Sequence, residues 1–126
     1  MEVTVLLTAE LPDDPSGSLT IGLQRGDVMV DPVAVAGQSE QVFTPTFRVE
    51  QLPDGRPNFL GPFAHGTRDA RFFYLVWRRA GARVGRSKIP LAGIDWADVA
   101  TGGTIALRVR LVNDHGRPRF ATVRPL

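Results

Sequence analysis

Apolar and polar residues alternate with a period of two through most of the chain, and this pattern predicts strands. Val3, Val5, Leu7 and Ala9 alternate with Thr4, Leu6, Thr8 and Glu10. Leu19, Ile21 and Leu23 alternate with Thr20, Gly22 and Gln24. Phe43, Pro45, Phe47 and Val49 alternate with Thr44, Thr46, Arg48 and Glu50, and Ile105, Leu107, Val109 and Leu111 with Ala106, Arg108 and Arg110. Successive side chains of a strand point to opposite faces, so each run has one face for a core and one for solvent. The run Arg71–Arg79, RFFYLVWRR, is apolar on both faces and reads as a strand covered on both sides.

Breakers separate the runs. Residues 11–18 (LPDDPSGS), 25–27 (RGD), 53–58 (PDGRPN), 80–82 (AGA) and 113–116 (NDHG) all have turn composition. The residues between the second and third runs, 28–35, are apolar and β-branched but contain Pro32, which removes a ladder donor and places them at a sheet edge. Residues 36–41 read as a polar linker. One short helical turn is predicted at 96–100, with Asp95 before it, Asp98 in its first turn and Thr101-Gly102-Gly103 after it. Eight or nine short strands at this spacing predict an all-β fold, a single-domain antiparallel β-sandwich over residues 1–126, with a topology similar to C2-like domains. Strand order is left open.

Composition agrees with this pattern. A chain of 126 residues with 13 Gly and 10 Pro has the length of one domain and the turn density of an all-β one. It has no Cys, which excludes disulfides, thiolate metal sites and Cys nucleophiles. No window approaches the length of a membrane span, and the first fourteen residues lack the basic and apolar regions of a signal peptide, so a cytoplasmic location is expected. The pI of 9.9 overstates the basicity, since the net charge is only +2 and the chain has a single Lys, Lys88, and a single Tyr, Tyr74. The distribution of charge says more. Residues 1–50 carry two basic and eight acidic side chains, a net charge of −6, and residues 51–126 carry thirteen and five, a net charge of +8. Either the halves pack together and neutralise each other, or the basic half presents a surface to a partner.

Two basic clusters are the candidate binding residues. A loop at 113–116 places Arg108, Arg110, Arg117 and Arg119 on the outer face of the last hairpin, with Arg110 opposite Arg119 and Phe120 inside beside Val109. Like charges in direct opposition call for an anionic complement, and Arg forks suit carboxylate or phosphate. Arg78, Arg79, Arg83 and Arg86, with Lys88, follow the aromatic run, where Tyr74 or Trp77 can provide a cation–π platform. The bland alternative is a solvated face whose long stems cover apolar surface. The small net charge and the lack of stacking aromatics beside the last hairpin argue against nucleic acid.

Chemistry of other kinds has thinner support. His65, in Pro62–Asp69 (PFAHGTRD), is the one candidate base, with Asp69 to orient it. No nucleophile accompanies it, since none of the four Ser lies in G-x-S-x-G. With two His there is no metal-binding spacing, and Asp13-Asp14 and Asp27…Asp31 make acidic pairs, short of the six to eight oxygens calcium takes. No metal or other cofactor is therefore expected.

Phe59-Leu60-Gly61-Pro62-Phe63-Ala64-His65-Gly66 followed by Arg71–Trp77, with Ile21–Arg25 before and Ser87-Lys88-Ile89, Asp114–Pro118 and Val123–Pro125 after, resembles the pattern of the bacterial domain-of-unknown-function family 5990. The resemblance spans most of the chain and departs at Arg78, where Gly is expected, and at Ser87, where Ala or a basic residue is. No activity is assigned to that family, so the resemblance implies only a single-domain, cytoplasmic bacterial protein.

The expected function is a non-enzymatic binding or accessory module whose Arg-rich face engages an acidic protein surface or a small anionic ligand. A small enzyme or ligand-binding protein, with a pocket at Gly61–Asp69 and His65 as base or anchor, is the alternative. A calcium- or polyanion-dependent surface-binding module is the second alternative.

Overall fold

A computed structural model describes the backbone of residues 1–125 and the side chains of residues 1–120. Two sheets enclose one apolar core. The first has the strand order β10-β9-β1-β5-β6 and is built from β1 (Glu2–Glu10), β5 (Thr46–Gln51), β6 (Pro57–Leu60), β9 (Thr104–Asp114) and β10 (Arg117–Pro125). A further strand, β4 (Glu40–Phe43), pairs with β1 beyond the end of β5. The second sheet has the order β3-β2-β7-β8, from β2 (Leu19–Arg25), β3 (Val28–Ala34), β7 (Phe72–Arg79) and β8 (Ala82–Pro90). The single helix, α1 (Trp96–Ala100), spans the predicted residues, and the Asp98 carboxylate accepts a 3.0 Å bond from the Asp95 amide at its start. The fold is an all-β sandwich.

The alternation of the sequence becomes the two faces of each sheet. Val3, Val5, Leu7 and Ala9 of β1 face Ile21 and Leu23 of β2 and Phe73, Leu75 and Trp77 of β7 in one continuous core. Phe47 joins the sheets at the centre, with its ring 5.6 Å from Phe59 and 5.7 Å from Phe73. As its proline predicts, β3 is an edge strand.

The structure corrects five expectations. Thr44-Pro45 splits the predicted 43–49 strand into the end of β4 and the start of β5, because Pro45 cannot donate to β1. Strand pairing begins at Glu40, inside the predicted linker, and resumes at Pro57, inside the predicted turn, where β6 forms an edge whose proline needs no ladder donor. Among the described residues every strand pair is antiparallel except β1 with β9, which run parallel from Thr4↔Thr104 to Glu10↔Arg110. The last hairpin turns on two residues, His115 and Gly116, both with positive φ as a type I′ turn requires, so Asp114 pairs with Arg117. Arg119 therefore lies opposite Val112, and after a bulge Arg110 lies opposite Thr122; the expected Arg110–Arg119 opposition does not occur.

Candidate functional site

The predicted basic face of the last hairpin is partly neutralised from within. Arg108 Nη2 lies 2.6 Å from Glu40 Oε2, and its Nε lies 3.6 Å from Glu10 Oε2. Glu10 and Glu40 oppose each other across β1 and β4, so this one guanidinium offsets two like charges. Arg119 Nε lies 3.2 Å from Asp114 Oδ2. Arg110 and Arg117 have no carboxylate within 4.0 Å among the described residues. The acidic first fifty residues thus neutralise part of the basic half.

The other cluster is built differently. On β7, Phe73, Leu75 and Trp77 point into the core, which leaves Phe72, Tyr74, Val76 and Arg78 on the outer face of the second sheet. Arg86 and Lys88 of β8 lie across from Val76 and Tyr74 and lean two residues along β7, onto the next side chain of the same face. The Arg86 guanidinium carbon is 4.0 Å from the centroid of Tyr74, and Lys88 Nζ is 4.0 Å from that of Phe72. Arg86 Nη1 also reaches Gln24 Oε1 of β2 at 3.5 Å. Among the described residues no carboxylate lies within 4.0 Å of Arg78, Arg79, Arg83, Arg86 or Lys88. Arg78 and Arg83 stand directly opposite each other at the turn end of the hairpin. Arg79 lies nearer an acid: its charge helps hold the Asp14 carboxyl below its ordinary value, after the larger effects of the Ser16 hydroxyl and the Leu19 amide bonded to it.

His65 belongs to this outer face. Its amide donates to Phe72 O at 2.8 Å and its carbonyl accepts from Phe72 N at 3.2 Å, a bridge that closes the loop between them. Its ring stacks 6.3 Å from Phe72 and lies 5.2 Å from Tyr74. Burial holds the imidazole below its ordinary pKa, the charge of Arg86 acts in the same direction, and the Gln24 backbone opposes. The Nε2 atom is enclosed without a hydrogen-bond partner. Asp69, expected beside it, instead pairs with Arg56 at 3.1 Å, and Arg56 in turn with Asp54 at 2.7 Å. The cavity beside Asp69, lined among others by Arg56, Arg68 and Arg71, is about 20 Å3, about enough for one water.

The fold brings together residues that the sequence keeps in separate hairpins. Edge strands β8 and β10 meet along one side of the sandwich, with the Pro118 ring against Gly85. A groove of about 220 Å3 opens along this seam, lined by Arg86, Ser87 and Lys88 from one strand and Pro118, Arg119 and Phe120 from the other. Three cations and a phenyl ring that is 36% exposed therefore share one groove. Phe120 was expected beside Val109 in the core; the two-residue turn puts it opposite Leu111, at the seam. Ser87, Pro118 and Phe120 are the groove residues not among the sequence candidates, and the only sequence signal for Phe120 is its place on an edge strand.

Among the described residues no three His, Cys, Asp or Glu side chains gather as a metal site, and no helix is long and apolar enough to cross a membrane. Comparison with curated proteins and with solved structures returns no match. The family model that does match carries no activity and covers residues 3–126, essentially the whole sandwich: the chain belongs to the family of unknown function DUF5990.

Proposed function

We propose that the protein is a non-enzymatic binding module of the bacterial cytoplasm, and that it engages an acidic protein surface through the β8–β10 seam. One observation carries this reading. Arg86 and Lys88 line the seam without a carboxylate partner among the described residues and are held over Tyr74 and Phe72, whereas Arg108, on the other sheet, is neutralised by Glu10 and Glu40. A guanidinium stacked on a ring keeps its N–H edge free for a carboxylate, and its reduced freedom lowers the entropy lost on binding. Arg119 adds a third cation across the groove, and Phe120 and Pro118 supply an apolar wall. The enclosed Nε2 of His65 and the engagement of Asp69 with Arg56 favour binding over base catalysis at the 61–69 loop.

Fluorescence anisotropy with a labelled poly-glutamate peptide tests the reading. Saturable binding that weakens as salt rises is expected. The double variant Arg86→Glu/Lys88→Glu should weaken it at least about tenfold, or 1.4 kcal/mol, while Arg48→Glu, exposed on β5 and outside the groove, leaves it unchanged. No saturable binding, or an equal loss from all three substitutions, overturns the assignment to the seam.

A further inference from the structure

A second groove, on the β1 side of β9 and so across that strand from the seam, arises from unequal strand lengths. Strands β1 and β9 run parallel, but β1 stops at Glu10 while β9 continues to Asp114. Leu11-Pro12 then leads the chain into the 11–18 loop, pinned on its far side by Asp14, whose carboxylate accepts bonds from the Ser16 hydroxyl at 2.6 Å and the Leu19 amide at 2.8 Å. Between loop and strand lies a groove of about 610 Å3, within the roughly 300–1,000 Å3 of small-molecule clefts. Its floor includes the buried Leu111.

Two features of this groove point to a ligand. First, Arg110 and Asp13 both line it, yet they lie more than 4.0 Å apart, and among the described residues neither has any other ion-pair partner. Glu10, also in the wall, is already held by Arg108, so Asp13 is the available carboxylate. Second, β9 runs past the end of β1, and among the described residues Val112 and Asn113 have no strand partner on that side. Unpaired strand backbone is a template for an extended segment.

We infer that this groove binds a small zwitterion of α-amino-acid chemistry, free or as a short peptide. The Arg110 fork takes the carboxylate, Asp13 takes the ammonium, and the overhanging strand offers its amides and carbonyls between them. Asn113 and Ser39 add neutral donors and acceptors on the two walls. A ligand carrying only one charge leaves the other wall residue unpaired, so recognition is specific for both ends.

The test is an amide chemical-shift titration of the full chain with glycine, dialanine, N-acetyl-dialanine and dialanine amide. Saturable shifts at residues 10, 11, 13, 39 and 110–113 are expected with glycine, dialanine or both, and the stronger of the two tells a free amino acid from a peptide. Each singly blocked form should bind at least about tenfold more weakly. In Arg110→Gln the penalty for the amide should vanish, and in Asp13→Asn the penalty for the acetyl group. The absence of saturable shifts, blocked forms as strong as dialanine, or shifts confined to the β8–β10 seam would overturn the inference. The seam variant Arg86→Glu/Lys88→Glu should titrate like the parent, so this site stands or falls independently of the acidic-surface reading.

Discussion

The indole nitrogen of Trp77 donates a 2.9 Å hydrogen bond to the hydroxyl of Ser87 inside the core, where the two residues are 1% and 2% exposed. They are diagonal neighbours on the inner face, since Trp77 pairs with Gly85 and Leu75 with Ser87. Ser87→Ala leaves the buried indole N–H without a partner, which costs about 1–3 kcal/mol. Urea unfolding should show this as a lower midpoint at unchanged slope. Adding Trp77→Phe should remove less stability in the Ser87→Ala background than in the parent, because the orphaned donor is gone.

That bond shows where the sequence was legible and where it was not. The alternation in β1, β2 and β9 shows at once which side chains enter the core, because burial on one face imposes a two-residue period. Ser87 breaks that rule as a polar residue at an inward position, and only the approach of Trp77 accounts for it. From the turn to the bulge, the expected register of the last hairpin is off by two residues. A four-residue and a two-residue loop both fit Asn113–Gly116, and a shift of two leaves every side chain on the same face, so the hydrophobic pattern cannot tell them apart. The seam groove has no local signature at all. It exists because two edge strands, some thirty residues apart, end up side by side.

Arg78 and Arg83 are directly opposed like charges that, unlike Glu10 and Glu40, have no counter-ion among the described residues. Such a pair costs a few tenths of a kcal/mol to about 1 kcal/mol. Arg83→Glu should therefore raise the unfolding free energy by about 0.5–1 kcal/mol at low ionic strength, with the gain shrinking as salt rises. Denaturation at two salt concentrations measures it. A stability loss at low salt would mean that Arg83 has an attractive role on this face.

Arg108 offsets two opposed carboxylates, so its removal exposes a repulsion as well as losing an attraction. Arg108→Gln should destabilise by about 1 kcal/mol, the upper end for exposed pairs. Glu40→Gln should cost less, because Arg108 keeps Glu10. In Arg108→Gln/Glu40→Gln most of the loss should be recovered, since Glu10 no longer faces a like charge. A double-mutant cycle on thermal unfolding gives these numbers directly.

Gly66 has φ +85°, and a Cβ there would lie 2.3 Å from Ala70 O and 2.5 Å from the Phe72 ring. Gly66→Ala must open the loop that holds His65 against Phe72, at a cost of about 1–3 kcal/mol. Gly81, also at positive φ but with open space around it, isolates the backbone part of the effect. Gly81→Ala should cost clearly less, on the order of 1 kcal/mol. Equal losses would show that contact with Phe72 contributes nothing at Gly66.

The imidazole of His65 should give the fold a pH dependence of defined sign. Burial depresses its folded pKa below the ordinary 6.5, with Arg86 acting in the same direction. In the unfolded chain it takes up its proton near 6.5, and in the folded protein only at lower pH. Above that value the residue contributes no slope. As pH falls from about 6.5 toward the folded pKa, the unfolded state binds more protons and stability declines. Asp14 and Asp54, whose carboxyls lie below the carboxylate value of 3.8, titrate outside this window and do not mask it. Unfolding free energies measured at about pH 7.5 and about pH 5 should therefore differ more for the parent than for His65→Gln. The same protonation would place a charge beside Arg86, so the pH response of poly-glutamate binding should differ between the parent and the variant, over the response that the peptide's own carboxyls give with both. An equal pH response in both proteins would place the titrating group elsewhere and remove His65 from the electrostatics of the seam.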